Sequence, residues 1–245
     1  PALLLKNNFL VKTKKFKNEN YIGDPINAVK IFNDKEVDEI IFLDICASKK
    51  KQQPNFEMLE KISSECFMPL AYGGGIKTIE QVKKIFRIGV EKIIINSAAI
   101  NNYNFLKEII SLVGSQSVII SIDVKKTIFG KYKVYSHLLE KNIKTELIDL
   151  LEIVNEVGVG EVFINSVDRD GMMNGYDVEL LNLVSSNINM PLIACGGAGN
   201  ITHLKEGLNS GGAHAVSAGS MFVYHGIHNA VLINYLDKRQ LGRIK

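Results

Sequence analysis

The sequence predicts an α/β protein built as a single (β/α)8 barrel, and three patterns lead to that prediction. Short apolar segments alternate with helix-like segments eight times along the 245 residues, as expected for parallel strands that are buried on both faces. No change in composition divides the chain, which favours one domain over residues 1–245. The segment 69–79 is echoed by the segment 191–201, with the proline, the leucine, a glycine pair and the final isoleucine at matching places. This internal repeat predicts two half-barrels, about residues 1–115 and 116–245, and disfavours a doubly wound open sheet.

The first half is predicted to contain four strand–helix units. Strands are expected at Pro1 to Leu5, Glu39 to Ile45, Pro69 to Tyr72 and Lys92 to Asn96. Asp24 before Pro25 predicts a helix start, because Asp caps helices and Pro suits the first helical position. The spacing of Thr78 and Gln81 predicts a capping box at another start. Further helices are expected at Phe56 to Ser64 and Tyr103 to Val113, and the segment 9–16 is expected to form a hairpin or a mobile loop.

The second half repeats this organisation. Strands are predicted at Ser117 to Asp123, Glu161 to Asn165, Leu192 to Cys195 and Ala213 to Ala218. A lysine-rich hairpin at residues 125–137 follows the fifth strand, as a hairpin follows the first. Helices are predicted at Glu146 to Val157, near Asp177, and from Ser220 to Leu236.

Composition excludes several classes of protein. A net charge of +3 from 29 basic and 26 acidic residues is not typical of nucleic-acid-binding proteins. The three cysteines have no metal-ligand or disulfide-framework spacing, so we expect no metal site and a reducing, cytoplasmic location. No apolar run approaches the length of a membrane span, and no signal peptide is apparent.

The two repeated glycine segments are the strongest candidates for ligand binding. Each reads as a strand that runs into a glycine turn and then a helix, where backbone N–H groups and the helix N-terminus favour anions. Either turn alone has an equally good explanation as an ordinary strand-to-helix connection. Two matched turns favour a ligand with a phosphate at each end.

Titratable residues at the predicted barrel mouth supply candidates for chemistry. Asp123 ends an apolar strand and could act as a general acid or base, although a structural pairing with Lys125 is the alternative. Asp44 has a similar position and could instead orient a loop. Lys12 could reach a bound phosphate or be solvated, and the lysines at 49–51 are expected to be solvated.

A set of motifs distributed over the whole chain resembles one known family. The motifs are Gly23-Asp24-Pro25, Phe42-Leu43-Asp44, Gly73-Gly74-Gly75-Ile76, Ile95-Asn96-Ser97-Ala98-Ala99, Gly114-Ser115-Gln116, Ser121-Ile122-Asp123, Asp168-Arg169-Asp170-Gly171, Gly175-Tyr176-Asp177 and Gly196-Gly197-Ala198-Gly199. Together they resemble the cyclase subunit of imidazole glycerol phosphate synthase. That resemblance implies a barrel that pairs with a glutaminase as a heterodimer, takes ammonia from it through the barrel, and needs no cofactor or metal.

The resemblance also implies roles for particular residues. A charged gate at the base of the barrel would include Glu39, Lys92 and Glu161, and its arginine would lie just before Pro1. One ligand phosphate would lie at Gly74, Gly75, Asn96 and Ser97, and the other at Asp170, Gly171, Gly196, Gly197, Gly219 and Ser220. Lys12, Asp44 and Asn165 are expected to complete the substrate site, and Asp123 is the expected catalytic residue.

One departure from the family pattern changes the functional expectation. The family uses aspartates on the first and fifth strands as an acid/base pair, but the first-strand position here is Leu4. Leu138 and Leu139 replace a small, glycine-containing segment at the same mouth. The combination resembles a branch associated with surface-polysaccharide genes, in which ammonia passes to a separate amidotransferase. A true histidine-pathway cyclase and a non-catalytic scaffold that activates the glutaminase remain the alternatives.

Overall fold

The central element of the structure is a sheet of eight parallel strands. The apolar segments form these strands because both faces of the sheet are covered by other parts of the protein. The computed structural model describes residues 1–96 and 102–244. Its strands are β1 (Ala2–Lys6), β2 (Phe9–Lys14), β3 (Lys17–Gly23), β4 (Ile40–Asp44), β5 (Leu70–Gly73), β6 (Lys92–Ile95), β7 (Val118–Lys126), β8 (Tyr132–Ser136), β9 (Lys141–Glu146), β10 (Glu161–Ser166), β11 (Leu192–Cys195), β12 (Ala215–Val216), β13 (Tyr224–His225) and β14 (Ala230–Val231). The parallel strands pair in the order β1, β4, β5, β6, β7, β10, β11, β12.

The first and last of these strands meet. The backbone N–H of Ala2 donates to the carbonyl of Ala218 at 2.9 Å, two residues after β12. The sheet therefore curls round on itself, and the predicted (β/α)8 barrel is confirmed. The eighth strand is shorter than predicted, since only Ala215–Val216 has strand pairing.

Helices cover the outside of this sheet. They span Pro25–Asp34, Phe56–Glu65, Ile79–Ile88, Tyr103–Val113, Leu147–Val157, Val178–Ser185 and Ile201–Asn209, with short helices at Ser220–Val223 and Lys238–Leu241 and a 3-10 turn at Ser115–Ser117. The two helix starts predicted from the sequence are both confirmed. The Asp24 carboxylate accepts from the N–H of Asn27, and Thr78 and Gln81 form a reciprocal capping box. Among the described residues, no helix is long and apolar enough to cross a membrane.

Two separate apolar cores explain why the strands are apolar throughout. The larger core lies between the sheet and the helices. The smaller core fills the barrel interior with one side chain from each of seven strands: Ala2, Ile41, Ala71, Ile94, Ile119, Phe163 and Ile193. Because this inner layer is packed, it separates the two ends of the barrel, as is usual for the fold.

Two antiparallel additions extend the C-terminal end of the barrel. Strands β2 and β3 form a hairpin that pairs with β1, so the hairpin alternative for residues 9–16 is confirmed. Strand β8 pairs with the extension of β7 to Lys126, beyond the predicted end at Asp123, and β9 pairs with β8. The rings of Phe16 and Tyr135 meet edge to face with centroids 6.1 Å apart. The two additions therefore touch beside the barrel mouth.

The prediction of helices from Ser220 to Leu236 is wrong beyond Val223. Residues 224–231 form a two-stranded hairpin instead, whose turn contains Gly226 at φ +69° and Asn229 at φ +50°. Glycine and asparagine tolerate this left-handed backbone, which interrupts a helix. Tyr235 then packs on Phe222 and donates a hydrogen bond from its hydroxyl to Asp38 at 2.8 Å. An extended segment therefore takes the place of the eighth outer helix.

Candidate functional site

A cavity of about 680 Å3 opens at the C-terminal ends of the parallel strands. Its volume lies within the range typical of small-molecule sites. The predicted mouth residues that line it are Lys12, Asp44, Gly74, Gly75, Asn96, Asp123, Asn165, Asp170, Gly171, Gly196, Gly197, Gly219 and Ser220. The structure thus brings both glycine turns and the candidate acids to one cavity. Ser97 lies outside the described residues.

Asp123 is a buried carboxylate at the centre of this mouth. It is 5% exposed, and its Oδ2 accepts a hydrogen bond from Asn96 Nδ2 at 2.9 Å. His137 Nδ1 lies 3.8 Å from the same oxygen. The alternative pairing with Lys125 is not observed, because the Lys125 ammonium lies over the ring of Tyr135. Asp123 is therefore held by the amide of Asn96, has the imidazole of His137 nearby and faces the cavity, where it could exchange a proton with a ligand.

Leu4 faces the same cavity from β1. Strands β1 and β7 are the first and fifth of the eight parallel strands, so they lie on opposite sides of the barrel. Leu4 pairs with Leu43 of β4, which also lines the cavity. The wall opposite Asp123 is thus aliphatic and offers no proton donor at this position.

Lys12 is a buried residue of β2, so the solvated alternative is wrong. Its side chain is 7% exposed, and its Nζ lies 2.7 Å from Asp170 Oδ1. The second oxygen of Asp170 accepts from the hydroxyl of Thr13 at 2.9 Å, and the carbonyl of Asp170 accepts from the N–H of Lys15 at 2.9 Å. Asp170 therefore fastens the β2–β3 hairpin to the loop that follows β10.

The close approach of this hairpin depends on a glycine. Gly171 has φ +73°, and a Cβ placed there would lie 2.2 Å from the carbonyl oxygen of Thr13. A side chain at this position would push the hairpin away from Asp170.

The first glycine turn (residues 73–76) packs against the loop after β4. The N–H of Gly75 donates to the hydroxyl of Ser48 at 3.2 Å, and a Cβ on Gly74 would lie 2.4 Å from the carbonyl oxygen of Asp44. The carboxylate of Asp44 accepts from the N–H groups of Cys46 and Ala47 at 2.9 and 3.0 Å. Asp44 thus shapes the loop beside the turn, as its alternative assignment anticipated, while it also lines the cavity.

The second glycine turn (residues 195–198) is similarly tight. A Cβ on Gly197 would lie 2.1 Å from the carbonyl oxygen of Gly175, and one on Gly196 would lie 2.7 Å from Asn165 Oδ1. Asn165 Oδ1 and Ser220 Oγ are buried atoms with no hydrogen-bond partner among the described residues. Such atoms are costly unless a ligand or water meets them.

A charged trio occupies the opposite end of the barrel. Lys92 Nζ lies 2.9 Å from Glu161 Oε1 and 3.3 Å from Glu39 Oε1. Desolvation alone would lower the pKa of Lys92, but the hydrogen bond and charge of Glu161 and the charge of Glu39 outweigh it and raise the pKa. Lys92 therefore stays protonated between two carboxylates, below the inner apolar layer.

Cys195 lines the mouth but is not activated. Desolvation, then the negative charge of Asp170, raises the pKa of its thiol from 9.0 to about 12. A thiol with such a pKa is a poor nucleophile at neutral pH. Among the described residues, no group of three or more His, Cys, Asp or Glu side chains is placed to hold a metal ion.

Sequence reasoning missed several residues that the fold brings to the cavity. His137 lies on the turn after β8, Ser48 contacts the first glycine turn, and Lys50, Lys51 and Lys77 line the same wall. The lysines look like solvated loop residues in the sequence, and only the fold shows which side of the protein they face.

Comparison with known proteins agrees with this arrangement. Residues 1–229 match the family model described as histidine biosynthesis protein. The chain is 49% identical to a Pseudomonas aeruginosa protein provisionally named imidazole glycerol phosphate synthase subunit hisF2, over 98% of this chain and 96% of that one. It is also 49% identical to a similarly named Leptospira borgpetersenii protein, over 96% and 93% of the two chains.

The similarity extends to a relative whose name as a subunit of this synthase is not provisional. The chain is 36% identical to imidazole glycerol phosphate synthase subunit HisF of Alkaliphilus metalliredigens, over 92% of this chain and 89% of that one. The match to the family model, over residues 1–229, spans both glycine turns, the cavity-lining residues and the charged trio. The chain belongs to the HisF-type imidazole glycerol phosphate synthase cyclase family, within the histidine biosynthesis proteins.

Proposed function

We propose that this chain is the ammonia-receiving subunit of a glutamine-dependent amidotransfer complex and that its chemistry differs from imidazole ring formation. A glutaminase subunit docks at the end of the barrel that carries Glu39, Lys92 and Glu161. Ammonia passes this trio and the barrel interior to the cavity, which binds an acceptor or a regulatory ligand with a phosphate at each end. The released ammonia serves amidotransfer in surface-polysaccharide synthesis, through a separate amidotransferase.

The observation that carries this proposal is that Leu4 lies across the cavity from Asp123. Leu4 and Leu43 line the wall opposite the carboxylate. Leucine cannot transfer a proton, and loss of one partner of an acid/base pair lowers a rate by roughly 10²- to 10⁴-fold. The charged trio nevertheless remains ion-paired. This combination is expected if ammonia delivery has been retained while the ring-closing chemistry has been lost.

A second candidate function rests on His137. Its Nδ1 lies 3.8 Å from Asp123 Oδ2, its side chain is 23% exposed, and it lines the cavity. A histidine at this distance could supply the second acid/base group, since such contacts tighten when a substrate binds. The chain would then be a genuine cyclase of histidine biosynthesis that has dispensed with the first-strand aspartate.

Turnover of the family's ribonucleotide substrate with excess ammonium salt, in the absence of a partner, separates the two candidates. We expect no turnover from the wild-type protein. Turnover that is abolished in both Asp123→Asn and His137→Gln, but retained in His228→Gln at an exposed turn, would overturn the first proposal and establish the cyclase.

Binding of a glutaminase is tested separately. We expect the chain to co-purify with a HisF-partner glutaminase from the same genome and to raise its glutamine hydrolysis. The absence of any complex would contradict both candidates. A non-catalytic scaffold would raise glutamine hydrolysis and tolerate Asp123→Asn without any loss of amidotransfer in the complete complex.

A further inference from the structure

The two ends of the cavity differ in their available positive charge. Both ends carry a glycine turn, and the internal repeat makes the two turns look equivalent in the sequence. The side chains around them are not equivalent. The lysine near the second turn is paired with a carboxylate, whereas, within the described residues, some lysines near the first turn are not.

At the second glycine turn, the nearby lysine is already paired. The stem of Lys12 lies beside Gly219, since a Cβ on that glycine would lie 3.1 Å from the Lys12 Cε. Its ammonium is bound to the buried carboxylate of Asp170 at 2.7 Å. Arg169, in the same loop, lines a separate pocket, where it donates to the carbonyls of Asn174 and Gly175 at 3.3 Å. Little net positive charge is therefore offered to a ligand at this end.

At the first glycine turn, a compact loop presents a cluster of lysines. Three backbone hydrogen bonds close this loop: Lys50 N–H to the Cys46 carbonyl, Lys51 N–H to the Ser48 carbonyl, and Gln52 N–H to the Ala47 carbonyl, at 2.9, 3.2 and 2.8 Å. The loop is thus closed by its own backbone, and the hydrogen bond from the N–H of Gly75 to Ser48 joins it to the first glycine turn.

The charges of this cluster are open to a ligand. Lys49 pairs with Glu140, but in the described part of the chain Lys50, Lys51 and Lys77 form no ion pair with a carboxylate. Lys50 has only an amide oxygen, Oδ1 of Asn7, at 2.8 Å. All three lysines line the cavity, and the hydroxyl of Ser48, in the same loop as Lys50 and Lys51, accepts from the N–H of Gly75.

We propose that the ligand of this cavity carries a diphosphate, rather than a single phosphate, at the first glycine turn. This inference rests on the proposed function only in taking the cavity as the site of a phosphorylated ligand. Three unpaired lysines around one glycine turn match the charge of a diphosphate, whereas a monophosphate needs fewer. The cavity, at about 680 Å3, has room for a nucleoside diphosphate or a sugar diphosphate that extends toward the second turn.

Inorganic pyrophosphate and orthophosphate are the probes that test this inference. By calorimetry, we expect pyrophosphate to bind the wild-type protein at least tenfold more tightly than orthophosphate. The double variant Lys50→Gln/Lys77→Gln should weaken pyrophosphate binding roughly tenfold, since two charged contacts are lost. The charge-matched control Lys83→Gln/Lys107→Gln, on two outer helices, should leave it within twofold.

Amide resonances locate the bound probe. Pyrophosphate should shift the amide signals of Gly75 and Lys77 at lower concentration than that of Gly197. Equal affinity for the two probes, an equal loss in the control variant, or first shifts at Gly197 would overturn the inference. Glutaminase binding plays no part in this measurement. A negative result would therefore contradict the diphosphate inference without contradicting the proposed ammonia delivery.

Discussion

The ammonium of Lys12 lies 2.7 Å from the carboxylate of Asp170, and both side chains are at least nine-tenths buried. The pair joins the hairpin after the first strand to the loop after the sixth parallel strand. It holds the hairpin over one end of the cavity and removes the positive charge of Lys12 from that end. Hairpin position and ligand electrostatics therefore depend on the same contact.

Asp170→Asn should destabilise the protein by about 3 kcal/mol, because the charge of Lys12 would remain buried without its counter-ion. Urea unfolding measures this loss, and trypsin should cleave sooner at Lys14 or Lys15 as the hairpin loosens. Glu36→Gln breaks the exposed Glu36–Lys238 pair and should change neither measurement. Unchanged unfolding and cleavage in Asp170→Asn would show that the buried pair does not hold the hairpin.

Leu4→Asp should introduce ammonium-dependent cyclase turnover that the wild-type protein lacks. The new carboxylate would face the cavity opposite Asp123 and restore an acid/base pair. Leu4→Asn is the matched control, since it has the same shape without the ionisable group and should stay inactive. If both variants are inactive while folded and able to bind pyrophosphate, other changes at the mouth, such as Leu138, account for the loss of the chemistry.

Lys92→Met should lower stability by about 1–2 kcal/mol at neutral pH, because it leaves Glu161 without its cation in a partly buried site. The pKa of Lys92 is raised in the folded protein. Its contribution to the free energy of unfolding is therefore fully present below the pKa of the unfolded state, 10.5, and is lost as pH rises through the pKa of the folded state. The stability difference between wild type and Lys92→Met should thus be constant near neutrality and shrink above about pH 10.5. Unfolding measured from pH 7 to 11.5 checks this, and a difference that grows with pH would contradict it.

Cys195→Ala should make stability less sensitive to alkaline pH. Desolvation and then Asp170 raise the pKa of this thiol from 9.0 to about 12, so the folded state keeps a proton that the unfolded state loses. The contribution of Cys195 to the free energy of unfolding is therefore fully present below pH 9 and declines between about pH 9 and 12. Guanidinium unfolding of both proteins across that range measures the effect. Parallel pH profiles for the two proteins would mean that Cys195 ionises equally in both states.

Much of the fold followed from local patterns. Continuous apolar runs predicted the parallel strands, and the Asp24–Pro25 and Thr78–Gln81 signals predicted two helix starts that the structure confirms. The terminal segment was mispredicted because its apolar residues suggested a helix, while Gly226 and Asn229 adopt a left-handed turn. Local propensity is a weak guide where one turn changes the direction of the chain.

The sequence by itself determined the barrel, its internal repeat, the two glycine turns and the absence of a carboxylate at Leu4, since periodicity and residue identity carry that information. Only the tertiary structure decided which charges are available. Lys12 and Lys50 look alike in the sequence, but one is paired with Asp170, 158 residues further along, and the other lines the cavity without a carboxylate. The electrostatic character of a site depends on distances between residues far apart in the chain, and folding alone sets those distances.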